Sequence, residues 1–182
     1  MQLSVTFRHM EPSDALKEYA YDKISRIEKY FDSAMEAQVV LSVEKFRHTA
    51  DVTIFSDGLK IKGHGQTEDM YSAIDTVIDK MERQARRYRE KIKGRKSGQR
   101  VKTRSVQMNI IAPEVEDESD RGPQIIRTMQ VPAKPMDTDE AVLQLELSRE
   151  QFLVFTDAET EVIKVLYRRD DGNYGLLEPI SE

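Results

Sequence analysis

Three observations in the sequence predict an α+β fold in two parts. In residues 1–94 short alternating apolar segments are interleaved with two longer segments of helical period. The pattern lapses over 95–122, and a shorter series of β-α-β-β-β type resumes in 123–182. Charge divides near the same place: residues 1–104 hold 21 basic and 16 acidic residues, whereas 105–182 hold 7 and 17. The formal charge of −5 therefore averages a basic head and a strongly acidic tail. Only the head would be drawn to a polyanion.

Gln2–Arg8 alternates Leu3, Val5 and Phe7 with polar residues, the mark of a half-buried strand. Glu11-Pro12-Ser13-Asp14 then offers a helix start with Ser13 or a neighbour as cap, and Leu16, Tyr19, Ala20, Ile24, Ile27, Tyr30 and Phe31 continue at helical spacing. Ala37–Phe46, Ala50–Phe55 and Leu59–Gly65 read as three strands, with Asp57-Gly58 as a tight turn between the last two. The stretch from Asp69 to about Arg104 follows. Its apolar stripe is Met70, Ile74, Val77, Ile78, Met81, Ala85, Tyr88 and Ile92. Two helices against one face of a mostly antiparallel sheet would bury both stripes.

Residues 95–122 run from Lys, Arg, Ser and Gly into Glu114–Asp120 and are read as a flexible linker, basic first and acidic later. Val106, Met108, Ile110 and Ile111 could form a short strand or a docking motif within it. In the tail, Ile125–Val131 reads as a strand and Asp137–Leu147 as a short helix capped by Asp137 or Thr138. Phe152–Phe155, Val162–Tyr167 and Tyr174–Leu177 are three more strands. A unit this small carries a marginal core, for which pairing with a second copy is the usual remedy.

Composition excludes several functions. The chain has no cysteine, so disulfides, thiolate metal sites and cysteine nucleophiles are ruled out, and no apolar run approaches the roughly 20 residues that span a bilayer. A cytoplasmic location and no membrane partner are expected. His9, His48 and His64 lack ligand-like spacing, Gly63-His64-Gly65 lacks the rest of a dinucleotide loop, and Asp170-Asp171-Gly172-Asn173 lacks the final carboxylate of a calcium loop. Ser4, Ser13 and Ser25 have no nucleophile-elbow context. No enzyme, metal, cofactor or small-molecule substrate is expected.

The cationic surface remains. Lys80, Arg83, Arg86, Arg87, Lys91 and Lys93 project away from the apolar stripe, and Lys80–Arg104 holds 12 Lys or Arg against Glu82 and Glu90. A face needing only solubility mixes its signs more evenly. Phosphates would supply most of the affinity, a rigid two-helix surface suits folded RNA, and Gln84 adds a neutral hydrogen-bonding group. The absence of an aromatic run like that of an RRM sheet disfavours single-strand stacking.

Three stretches carry a family resemblance. The first is Arg8-His9-Met10-Glu11-Pro12-Ser13-Asp14-Ala15-Leu16 with Lys23-Ile24-Ser25-Arg26-Ile27-Glu28-Lys29-Tyr30-Phe31. The second is Glu68-Asp69-Met70-Tyr71-Ser72-Ala73-Ile74-Asp75 with Lys80-Met81-Glu82-Arg83-Gln84. The third is Arg127-Thr128, Lys134-Pro135-Met136, Glu140-Ala141 and Tyr167-Arg168-Arg169-Asp170-Asp171-Gly172-Asn173-Tyr174-Gly175-Leu176. In these the chain resembles the long-form ribosome hibernation factors. Met129, where the family usually has a basic residue, and Ser148-Arg149, in place of a usual Gly-His, depart from the pattern.

The resemblance implies a non-catalytic protein whose ribosome-binding domain (1–94) sits in the small-subunit channel for mRNA and tRNA. It carries ribosomal RNA contacts onto Lys23, Arg26, Lys29, Lys80, Arg83, Gln84 and Arg87, to which the charge pattern adds Arg86 and Lys91. It further implies a homodimerisation domain (123–182) that pairs two ribosomes, with Phe152, Val154, Phe155, Val165, Tyr167 and Tyr174 as the expected dimer residues. A rival reading is an RNA-binding interaction protein whose acidic tail recruits a regulatory partner. An enzyme would instead gather His48 or His64 with carboxylates in a deep pocket.

Overall fold

A computed structural model describes residues 1–56, 58–93, 102–112 and 124–180, without the side chains of Ile92 and Lys93. It contains two compact units, Met1–Gly98 with Val142–Gln151, and Gln99–Ala141 with Phe152–Glu182. A β-α-β-β-β order occurs twice along the chain, followed by a second helix in the first instance and preceded by one further strand in the second.

The first runs β1 (Gln2–Arg8), α1 (Asp14–Glu28), β2 (Met35–Glu44), β3 (Arg47–Ser56), β4 (Leu59–Thr67) and α2 (Met70–Lys93). Its sheet order is β1-β2-β3-β4, with β1 parallel to β2 and the other pairs antiparallel. Ser13 caps α1 by accepting from the Leu16 amide, and Asp69 caps α2 by accepting from that of Ser72 at 2.8 Å. Alternate residues of the strands (Ala37, Val39 and Leu41; Val52 and Ile54; Leu59 and Ile61) are buried in one core with Ala20, Ile24 and Ile27 of α1 and Ile74, Val77, Ile78 and Met81 of α2. Leu143 and Leu147, from the Val142–Gln151 segment of this unit, join the same core, and Glu150 accepts from Lys60 and Lys62 at 2.7 and 2.9 Å.

The glycines of Gly63-His64-Gly65 have a packing reason. A Cβ on Gly63 would lie 2.5 Å from Val77 Cγ2 and from Met81 Sδ, and one on Gly65 would lie 2.6 Å from the carbonyl oxygen of Ala73. Only a strand bare at these two positions lets α2 lie this close to it.

The second unit carries β5 (Arg104–Ala112), β6 (Gln124–Met136), β7 (Phe152–Asp157), β8 (Ile163–Arg168) and β9 (Tyr174–Leu177) in a sheet of order β5-β6-β7-β8-β9; α3 (Thr138–Ser148) begins in this unit, and its residues from Val142 onward belong to the first. Here the expected linker is corrected. Arg104–Ala112 pairs antiparallel with β6, using the Val106, Met108, Ile110 and Ile111 run. The remainder of that stretch, residues 95–101 and 113–122, lies outside the described residues, as does Asp57 of the expected turn. Asp137 caps α3 by accepting from the Glu140 amide at 2.8 Å, and Arg149 takes a left-handed φ of +54° where the helix ends.

Asp157 closes β7. Its Oδ1 accepts from the Thr160 amide at 2.9 Å and from the Glu159 amide at 3.0 Å, and its Oδ2 pairs with Lys164 at 3.0 Å. The Thr160 amide bond is the main cause that draws its pKa down to about 2, overcoming the opposing effect of burial. A lowered folded-state pKa stabilises above the unfolded value, and the gain disappears as pH falls from about 4 towards 2. We expect Asp157→Ala to cost about 2 kcal/mol at neutral pH. Urea unfolding at a series of pH values should show the gap from wild type narrowing across that acid window.

Candidate nucleic-acid interface

The site is built on the seam between α1 and α2. Lys23 of α1 pairs with Asp75 of α2 at 2.5 Å, and the Tyr19 hydroxyl donates to both Asp75 oxygens at 2.9 Å. Near the other end of α1, Lys29 pairs with Glu82 at 3.1 Å and the Tyr30 hydroxyl donates to Glu82 at 2.9 Å. Each ammonium also lies over the ring of its own tyrosine, at 4.8 and 4.9 Å. Arg89 closes this end by donating to the Lys29 carbonyl.

Protonation follows this geometry. Burial pushes Asp75 up, but the Lys23 and Tyr19 hydrogen bonds outweigh it and hold the carboxyl below its ordinary value. Lys29 and then Tyr30 hold Glu82 down, while hydrogen bonds to Asp75 and Glu82 raise Lys23 and Lys29 respectively. Both lysines are therefore firmly cationic and both carboxylates firmly anionic, and each pair largely cancels its own charge.

The expected RNA-binding residues thus fall into two groups. Lys23 and Lys29 are committed to the seam, and Arg26 pairs within its own helix with Asp22 at 3.0 Å. On α2, Lys80, Arg83, Arg87 and Lys91 are exposed and make no ion pair among the described residues; Arg83 donates only to the Asp79 carbonyl. Arg86 reaches Glu90 at 3.9 Å, too far for a strong pair. Arg83 and Arg86 line a shallow groove with Tyr30, Asp79 and Glu82. At roughly 100° per residue, Lys80, Arg87 and Lys91 share the flank of α2 turned away from Asp75 and Glu82. Gln84 is half-buried beside them, and its buried carbonyl oxygen has no hydrogen-bond partner among the described residues. The side chain of Lys93 lies outside the described residues.

The expected dimer residues also separate. Phe152 pairs across the sheet with Tyr167, and Val154 with Val165, which puts these four on one face. Alternation puts Phe155 and Tyr174 on the other. Phe155 is fully buried and belongs to the interior of its unit, whereas Phe152 is 44% exposed. Leu177, opposite Val165 and 59% exposed, extends the Phe152 face. The Tyr167 ring occupies the space over Gly175, where a Cβ would lie 2.2 Å from it.

Among the described residues no group of three His, Asp or Glu could hold a metal, and no helix is long and apolar enough to cross a membrane. His64 bonds Asp51 at 2.8 Å on an exposed strand surface. His48 lies apart from it.

Residues 3–93 match the family model described as Sigma 54 modulation protein / S30EA ribosomal protein, and residues 120–176 match its C-terminal counterpart, Sigma 54 modulation/S30EA ribosomal protein C terminus. The chain belongs to this family. It is 36% identical over 183 residues to the ribosome hibernation promotion factor of Lactococcus lactis subsp. cremoris (strain MG1363), covering 98% of each chain. It is 34% identical over 188 residues to the ribosome hibernation promotion factor of Bacillus subtilis (strain 168), covering 98% of this chain and 99% of that one. The crystal structure of the Thermus thermophilus Protein Y N-terminal domain is 29% identical, with a TM-score of 0.47 over 48% of this chain and 99% of that one. The S30EA family is non-catalytic, and its ribosomal name fits a surface made of committed seam and open cations.

Because the two tyrosines bond charged carboxylates at half-buried positions, we expect Tyr19→Phe and Tyr30→Phe each to cost about 1.5 kcal/mol in urea unfolding. The pair of substitutions should add, since the two bonds share no atom.

Proposed function

We propose that the protein is a non-catalytic ribosome hibernation factor. Its head, residues 1–94, binds small-subunit ribosomal RNA in the channel used by mRNA and tRNA and inhibits translation by occupancy. Its tail, residues 123–182, pairs with a second copy and so brings two ribosomes together. The observation that carries the reading is the open row Lys80, Arg83, Arg87 and Lys91, set on a helix whose Asp75 and Glu82 are already neutralised by α1. Such a row tracks phosphates and needs no base code. Full-length similarity to two proteins named ribosome hibernation promotion factor supports the same reading.

The proposed dimer surface is the face bearing Phe152, Val154, Val165, Tyr167 and Leu177. It is apolar and partly exposed, as a self-complementary patch requires.

One sedimentation experiment tests both halves. Arg83→Glu with Arg87→Glu should weaken association with small subunits about a hundredfold, leaving the melting temperature unchanged because neither side chain is committed to the fold. Phe152→Glu should keep co-sedimentation and lose the paired-ribosome peak. Undiminished co-sedimentation of the first variant, or undiminished pairing with the second, would contradict the corresponding half.

A further inference from the structure

The hairpin joining β2 and β3 carries a feature that the α1–α2 surface does not use. Pairing continues to Glu44 opposite Arg47, so the turn consists of Lys45 and Phe46 alone. Lys45 adopts a φ of +56°, the left-handed region that favours glycine or asparagine and strains a lysine. Phe46 is 86% exposed, against 44% for Phe152 and 41% for Tyr71. A two-residue turn of this kind is ordinarily built from small polar residues, yet this one presents a bare aromatic ring between Lys45 and Arg47.

Size and charge decide what such a tip can meet. One ring on a two-residue turn offers far less than the roughly 800 Å² per partner of a stable protein interface. It matches the face of a single nucleobase, and the adjoining cations, both exposed, are placed for the phosphates on either side of that base. Glu44 at the end of β2 is the one acidic neighbour in the turn sequence, so Glu44–Arg47 keeps a net positive charge. Place in the fold adds to this. His48 pairs with Thr67, three residues before α2 begins, so the tip stands at the N-terminal end of α2, about 20 Å along the helix from Arg83.

We infer that Lys45-Phe46-Arg47 is a stacking finger, in which Phe46 receives an unpaired RNA base and Lys45 and Arg47 hold its phosphates. It rests on the proposed RNA-binding role of the head and gives that role a second, separate point of contact. A base held there makes binding depend on an unpaired, accessible base, which a row of phosphate contacts alone does not require.

The chain contains no tryptophan, so Phe46→Trp places a single tryptophan, excited apart from the seven tyrosines, at the tip. Full-length Phe46→Trp, titrated with protein-free small-subunit ribosomal RNA, should show saturable quenching that heparin at equal charge does not produce. Phe46→Ala should weaken binding to that RNA about tenfold, and Phe46→Tyr should restore it. Equal quenching by heparin, or wild-type affinity for Phe46→Ala, overturns the inference. So does a Phe46→Ala defect seen with intact small subunits but not with protein-free RNA, which would assign the tip to a ribosomal protein. Arg83→Glu/Arg87→Glu run in parallel separates the two ideas. Its loss of binding beside a fully active Phe46→Ala sinks the finger alone, whereas full activity in both variants sinks the RNA-binding role.

Discussion

The electrostatics of the head depend on one interaction, the seam where α1 and the two residues after it supply a tyrosine and a lysine to each of two carboxylates on α2. Without it Asp75 and Glu82 would be free anions on the same helix as Lys80, Arg83, Arg87 and Lys91, and the field at the surface would be mixed. With it, the acidic groups are consumed inside the contact that holds the helices together. Lys80, Arg83, Arg87 and Lys91 are left open on that same helix. A single arrangement therefore aligns the helices and sets the sign of the surface beside them.

The strand beneath makes this possible. Gly63 and Gly65 let α2 lie so near β4 that Val77 and Met81 fill the space a side chain would take. A helix seated that closely is held along its length by core contacts at Ile74, Val77, Ile78, Met81 and Ala85. It is rigid enough for its outer cations to match a fixed arrangement of phosphates. Preorganised charges lose little on binding, which suits the proposed inhibition by occupancy.

Much of the fold was legible because its signals are local. Strands β1 and β9 have the bounds read for them, and the caps Ser13 and Asp137 are among the residues their positions indicated. What was missed depends on partners distant in sequence. The sequence allows a short strand in the Val106–Ile111 run but cannot assign its pairing with β6, which takes the run out of the linker. Lys23 and Lys29 read as open cations because Asp75 and Glu82, each more than 50 residues away, cannot be assigned to them from the sequence. Phe155 sits in a run of four apolar residues with no alternation to tell inner from outer. Phe46 looked like the end of a strand, whereas the strand stops at Glu44 and leaves it at the tip of a turn.

The central claim is that the helical side of the head, and not the opposite face of its sheet, lies against ribosomal RNA. A chain without cysteine allows a direct measurement: an iron chelate tethered to a single introduced cysteine, followed by mapping of hydroxyl-radical cleavage in the small subunit. Thr76 is exposed on α2, and Gln38 is exposed on the sheet face opposite the core. The account predicts strong, clustered cleavage of channel RNA from Thr76→Cys and little from Gln38→Cys. Equal cleavage from both positions, or cleavage from Gln38→Cys alone, would contradict it.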